Sequence, residues 1–217
     1  MYKALIFDLD GTLLDTITDI TEAINEALKE CGYQYSYDRE STKTLIGDGS
    51  DTLVRRALRE KSGDVDAFSK LNRVYMPLYL EYQNRHTKPF PGIVEALEDL
   101  KKAGVDCFIV SNKPDHLVQD LIPRYFKDGL FKECHGIKNG ESVKPDPHQV
   151  NRIIEKYGLD RHKVLYVGDS RPDVEVSINA QVDCALCKWG YGDYLDPICL
   201  KAKFALEEPR ELLSIAL

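Results

Sequence analysis

Near the start of the chain, Ala4-Leu5-Ile6-Phe7 is an unbroken apolar run that stops at Asp8-Leu9-Asp10-Gly11-Thr12. An apolar run without polar alternation suits a strand covered on both faces, which is the habit of parallel sheets wrapped by helices. No other feature restricts the fold as much, because parallel neighbours must be joined by long crossovers. Side chains two apart on an extended segment point the same way, so Asp8 and Asp10 leave the strand towards one point. Two carboxylates held that close repel, and a cation or a shared proton relieves them. In open α/β sheets, ligands bind beyond the carboxyl ends of the strands, which is where this pair lies. An isolated Asp-Gly would be an ordinary turn; here a second acidic cluster, at Asp169 and Asp173, accompanies it.

The stretch after Thr16 has a different period. Apolar residues at Ile17, Ile20, Ile24, Ala27 and Leu28 make a helical stripe closed by Gly32. Tyr33 to Thr44 reads as a connection. The glycine turn Ile46-Gly47-Asp48-Gly49-Ser50 leads into a second amphipathic helix, and Val65 to Arg85 into a long one, where Pro77 is a candidate kink. Residues 17–88 are therefore expected to be an all-helical insertion, and 1–16 with 89–217 a core. From Ile93 onward helix and strand alternate: strands at 105–110, 133–136, 163–167, 182–186 and 203–206 are separated by helical patterns. That alternation implies an α/β, Rossmann-like, doubly wound parallel sheet. Inserted after the first strand, the helical unit is expected to begin and end at the carboxyl edge, as a lid or cap.

Composition narrows the partners. With 43% hydrophobic and 30% charged residues the chain can bury a real core, and its net charge of -7 offers nothing general to a nucleic acid backbone. No stretch approaches the roughly eighteen apolar residues of a spanning helix, and the few residues before Asp8 are too short for a signal peptide. The six cysteines follow no framework spacing, and Cys184-Ala-Leu-Cys187 is a lone pair within a strand rather than a zinc or redox motif. Free thiols in a cytoplasmic protein, a monomer or homodimer, are the expectation.

Four strand ends carry polar residues: Asp8/Asp10, Ser111/Asn112, Lys144 and Asp169/Asp173. Magnesium wants hard oxygen ligands, which Asp8, Asp169 and the backbone carbonyl of Asp10 would supply. Ser111 offers a hydroxyl and an N–H to a phosphoryl oxygen, and Lys144 the positive charge still needed. Taken singly these are a helix N-cap, a turn and a solvated lysine; together, and all at strand ends, they describe a site.

In these motifs, Asp8-x-Asp10-Gly11-Thr12, Ser111, Lys144 and Gly168-Asp169-Ser170-x-x-Asp173, the chain resembles the haloacid dehalogenase superfamily of phosphotransferases. Thr12-Leu13-Leu14-Asp15-Thr16, Ile46-Gly47-Asp48-Gly49, Ser111-Asn112-Lys113-Pro114, Val167 to Arg171 and Trp189-Gly190-Tyr191-Gly192 resemble its phosphoglycolate phosphatase subgroup, with a helical cap. The resemblance implies that Asp8 attacks phosphorus to form an aspartyl-phosphate and that Asp10 protonates the leaving alcohol, then activates water. It further implies that Ser111, Asn112 through its backbone, and Lys144 hold the phosphoryl group. Asp173 and Ser170 would support Lys144 and the metal site from behind, and the substrate the resemblance implies is a small phosphorylated metabolite.

An acid at Asp10 favours phosphate esters over substrates without an alcohol to protonate. Ile20 stands where a capped sugar phosphomutase would carry a histidine; a pyrophosphatase or another sugar-phosphate phosphatase needs the same core. A non-catalytic regulatory protein on this fold is the alternative of a different class. Substrate choice is expected from the cap, through the loop Gly47, Asp48, Gly49, Ser50. Lys113, beside Ser111, leads Lys43, Arg55 and Arg56 as the cation for a substrate carboxylate. Ala180-Gln181 departs from the usual Ala-Gly and is expected to affect packing more than chemistry.

Overall fold

The computed structural model describes residues 1–217. The chain divides into two compact units, Met1–Leu14 with Pro89–Leu217, and Asp15–Lys88.

The first unit is an α/β sheet of six strands. These are β1 (Ala4–Phe7), β4 (Asp106–Pro114), β5 (Glu133–Ile137), β6 (Val164–Gly168), β7 (Asp183–Cys187) and β8 (Phe204–Leu206). They lie in the order β5-β4-β1-β6-β7-β8, and every neighbouring pair is parallel. The order runs outward from β1 in both directions, which makes the fold doubly wound and puts the switch point at β1. Two more strands, β2 (Leu14–Asp15) and β3 (Lys88–Pro89), pair with each other where the chain passes between the units.

Strand side chains alternate, so the sheet has two apolar layers. Leu5, Phe7, Ile109 and Val167 face one layer with α5 (Ile93–Lys102), α6 (Asp115–Tyr125) and α9 (Glu211–Ala216). Ala4, Ile6, Phe108, Val110 and Tyr166 face the other with α7 (His148–Tyr157) and α8 (Arg171–Ala180). β1 is fully buried along its length, as its unbroken apolar run requires.

Two readings of this unit change. β4 does not stop at Val110 but runs through Ser111, Asn112 and Lys113 to Pro114, with its register against β5 shifted between Val110 and Pro114. The polar residues had suggested a loop; they instead continue β4 at its carboxyl end, with Ser111, Asn112 and Lys113 all buried. Gln181 ends α8 in the left-handed conformation, φ 57° and ψ 46°. The departure from glycine there is a backbone matter, costing about 1–2 kcal/mol of strain, rather than one of packing.

The second unit holds α1 (Ile17–Glu30), α2 (Arg39–Lys43), α3 (Ser50–Ala57) and α4 (Val65–Tyr82). α1 packs on α4, and Ile20, Ile24, Ala27 and Leu28 of the first and Leu71, Tyr75 and Tyr79 of the second are buried. Tyr75 and Tyr79 stack with ring centroids 5.5 Å apart. Pro77 sits on the exposed side of α4, which continues past it. The stretch read as a connection contains α2, started by a capping box in which Asp38 and Ser41 exchange hydrogen bonds.

Candidate active site

Asp8 follows β1 directly, and its N–H donates to Val167 O on β6 at 2.9 Å. The carboxylate is buried, with Oδ1 2.7 Å from Lys144 Nζ but accepting no well-directed hydrogen bond. Lys144 is equally buried and also reaches Asp173 Oδ1 at 2.7 Å. Its backbone is fixed from β4: Lys144 N–H donates to Asn112 Oδ1 at 2.7 Å, and Asn112 Nδ2 donates to Lys144 O at 3.4 Å. The Asn112 side chain thus anchors the loop that delivers the lysine.

Asp173, in the first turn of α8, has both oxygens engaged. Oδ2 accepts from Asp169 N, Ser170 N and Ser170 Oγ at 3.2, 3.0 and 2.7 Å. Oδ1 takes Lys144 and lies 3.4 Å from Tyr166 Oη, whose hydroxyl donates to Val110 O at 3.0 Å. Asp169 accepts from Thr12 Oγ1 at 3.0 Å on Oδ1, and from Tyr191 N and Gly192 N at 2.8 and 3.2 Å on Oδ2.

The clasp around Asp169 leaves no space for side chains. A Cβ on Gly190 would sit 2.2 Å from Asp169 Cβ, and one on Gly11, at φ 89°, would sit 2.5 Å from Asp169 Oδ2. Trp189 Nε1 donates to Thr12 O at 3.1 Å, tying the same turn to the first loop. Thr12, Tyr166 and the Tyr191 and Gly192 amides were given no role by the sequence. For the amides nothing marks a backbone donor except the glycines that allow its approach.

Electrostatics set the demand for a cation. Ligand atoms of Asp8, Asp169 and Asp173 lie within 4.8 Å of one another. Burial pushes Asp8 up to about 6, with Lys144 opposing and Asp173 adding to the rise. Burial, then Asp173 and Asp8, push Asp169 up to about 8. Burial works against the charge of Lys144, but Asp173 and Asp8 outweigh it and raise its pKa. One ammonium among three buried carboxylates leaves negative charge uncompensated, and the donors are hard oxygens. The cluster therefore fits a divalent cation.

At the neighbouring strand ends, Asp10 is paired with Lys113, whose Nζ lies 3.1 and 3.3 Å from its two carboxylate oxygens. Ser111 is buried beside them, and its Oγ accepts from Lys113 N at 3.3 Å. The remaining candidates belong to the helical unit. Gly47, Asp48, Gly49 and Ser50 form the turn into α3, with Asp48 ion-paired to Arg56. Arg55 stacks on Phe68 and Lys43 pairs with Glu40.

Comparison with known proteins agrees with this geometry. The haloacid dehalogenase-like hydrolase family matches residues 5–187. A phosphoglycolate phosphatase of Aquifex aeolicus is 33% identical over 98% of this chain and 96% of its own. One of Pseudomonas syringae pv. syringae is 33% identical over 87% of this chain and 70% of its own. The crystal structure of a predicted phosphoglycolate phosphatase from Haemophilus somnus superposes with a TM-score of 0.91 at 30% identity, covering 100% of this chain and 98% of that one.

Proposed function

Since the chain belongs to the haloacid dehalogenase-like hydrolases and is a phosphoric monoester hydrolase, we propose that it is a magnesium-dependent 2-phosphoglycolate phosphatase working through an aspartyl-phosphate. The observation that carries the reading is the buried cluster of Asp8, Asp169 and Asp173 around Lys144, at the switch point of the sheet. The substrate is suggested by the relatives of the same length that bear that name.

In this reading Asp8 is the nucleophile. Its carboxylate attacks phosphorus, the bond to the ester oxygen breaks, and Asp10 gives that oxygen a proton so that it leaves as an alcohol. Asp10 then takes a proton from the water that attacks the aspartyl-phosphate, which releases phosphate and restores both acids. Lys144, the Ser111 hydroxyl and the Asn112 N–H hold the phosphoryl oxygens, where negative charge accumulates in the transition state. Asp8, Asp169 and the Asp10 carbonyl would hold magnesium, which supplies charge neutralisation and in-line alignment of the phosphoryl group. Asp173 and Ser170 keep Lys144 and the Asp169 backbone in place. The helical unit, Asp15–Lys88, acts as the cap, with Gly47 to Ser50 as its specificity loop.

The test is phosphate release from p-nitrophenyl phosphate and 2-phosphoglycolate. Turnover of both with magnesium, lost with a chelator and restored by excess magnesium, is expected. Absence of release from either ester under those conditions would overturn the reading.

A further inference from the structure

We propose that Tyr166 is a positioning residue for phosphoryl transfer: its hydroxyl joins β4 to α8 and fixes the direction in which Lys144 presents its ammonium. The inference rests on the phosphatase reading above and names a residue that none of its steps uses.

The hydroxyl is costly where it stands. Tyr166, in the middle of β6, is fully buried and packs in the apolar layer of Ile6, Phe108, Val150 and Ile153. Phenylalanine would fill that layer with the same ring and leave no polar atom to satisfy. The hydroxyl's partners lie towards the site instead. It donates to Val110 O at 3.0 Å and reaches Asp173 Oδ1 at 3.4 Å, one proton shared between two acceptors with the nearer favoured.

Both acceptors bear on the groups assigned to the phosphoryl oxygens. Val110 directly precedes Ser111 and Asn112, where the register of β4 against β5 shifts. The hydroxyl holds that point from β6, reaching past β1 between the two strands. Asp173 Oδ1 is the oxygen that takes Lys144 Nζ at 2.7 Å, and the same ammonium lies 5.8 Å from the centroid of the Tyr166 ring. Lys144 is shared between Asp8 and Asp173, 2.7 Å from each. Once a phosphoryl group is bonded to Asp8, the hold on the ammonium from that side weakens, and Asp173 with Tyr166 must keep its direction. Donors stabilise a transition state best when they are already in place as charge develops. Loss of the hydroxyl is therefore felt in the rate of transfer rather than in binding.

The test removes single hydroxyls. Tyr166→Phe is compared with Tyr157→Phe, which deletes the hydroxyl donating to Glu133 Oε1 at 2.8 Å from a tyrosine packed against the same layer. Rates are taken with magnesium, well below each melting temperature. Tyr166→Phe is expected to lower kcat about tenfold, or about 1.4 kcal/mol, on both 2-phosphoglycolate and p-nitrophenyl phosphate, with KM unchanged within about twofold. The factor is the same for both esters because Lys144 touches the phosphoryl group they share. Tyr157→Phe loses a comparable bond and is expected to keep both constants. Four results overturn the assignment of Tyr166 and leave the phosphatase reading standing: wild-type kcat in Tyr166→Phe, an equal loss in the two variants, a rise in KM without a fall in kcat, or a Tyr166→Phe protein that no longer melts cooperatively. No phosphate release by the wild type overturns both.

Discussion

At the scale of single residues, the site is organised by an excess of buried negative charge. Asp8 and Asp169 have folded-state pKa values raised to about 6 and about 8 from 3.8. Between those limits the folded protein holds more protons than the unfolded chain, so these groups make stability fall as pH rises from about 4 to about 8. A divalent cation bound in the cluster would take the place of the protons and remove the slope. The contribution is read by comparing melting temperatures of wild type and Asp169→Asn across this window. Without metal, the variant is expected to gain on the wild type as pH rises, and with magnesium the wild type recovers. A wild type that gains on the variant under chelation contradicts the charge account. Asp173 plays a different part: four donors fill its oxygens, so it fixes geometry rather than waiting for a ligand.

At the scale of elements, the helical unit is closed on itself by a buried acid. Asp19, in the first turn of α1, accepts from His86 N at 2.9 Å on Oδ1, and from Thr87 N and Thr87 Oγ1 at 2.9 and 2.7 Å on Oδ2. This ties the start of the unit to the segment just before β3. Asp19→Ala leaves three donors without an acceptor and is expected to cost about 3 kcal/mol or more, read from the denaturant midpoint. A change below about 1 kcal/mol would show that water or the backbone replaces the acid.

A helix with a clear apolar stripe, such as α1, was legible in the sequence to within a residue or two. Elements without one were not. α2, five residues long, exists because Asp38 and Ser41 cap it, and the last third of β4 is polar strand that reads as turn. Periodicity reports burial on one face, and neither of these segments has a single buried face to report.

At the scale of the whole molecule, one topological fact accounts for the site. Winding the sheet outward from β1 brings Asp8, Lys144, Asp169 and Asp173, far apart in sequence, to one place. Those side chains could be named in advance because they stand together in motifs that resemble a known family's, although each alone is an ordinary turn or surface residue. The Tyr191 and Gly192 amides on Asp169 could not, since every residue but proline carries the same donor. The Lys113–Asp10 pair was hidden too: its members are more than a hundred residues apart and only the β1–β4 pairing brings them together.

In the proposed mechanism Asp8 carries the phosphoryl group between ester and water. That role is tested most directly by acid-quenching the enzyme during turnover of 2-phosphoglycolate with magnesium and locating the phosphoryl group by peptide mass spectrometry. A phosphorylated Asp8 is expected, absent from Asp8→Asn, which folds but does not turn over. Sustained turnover by Asp8→Asn, or a phosphoryl group trapped on another side chain, would contradict the account.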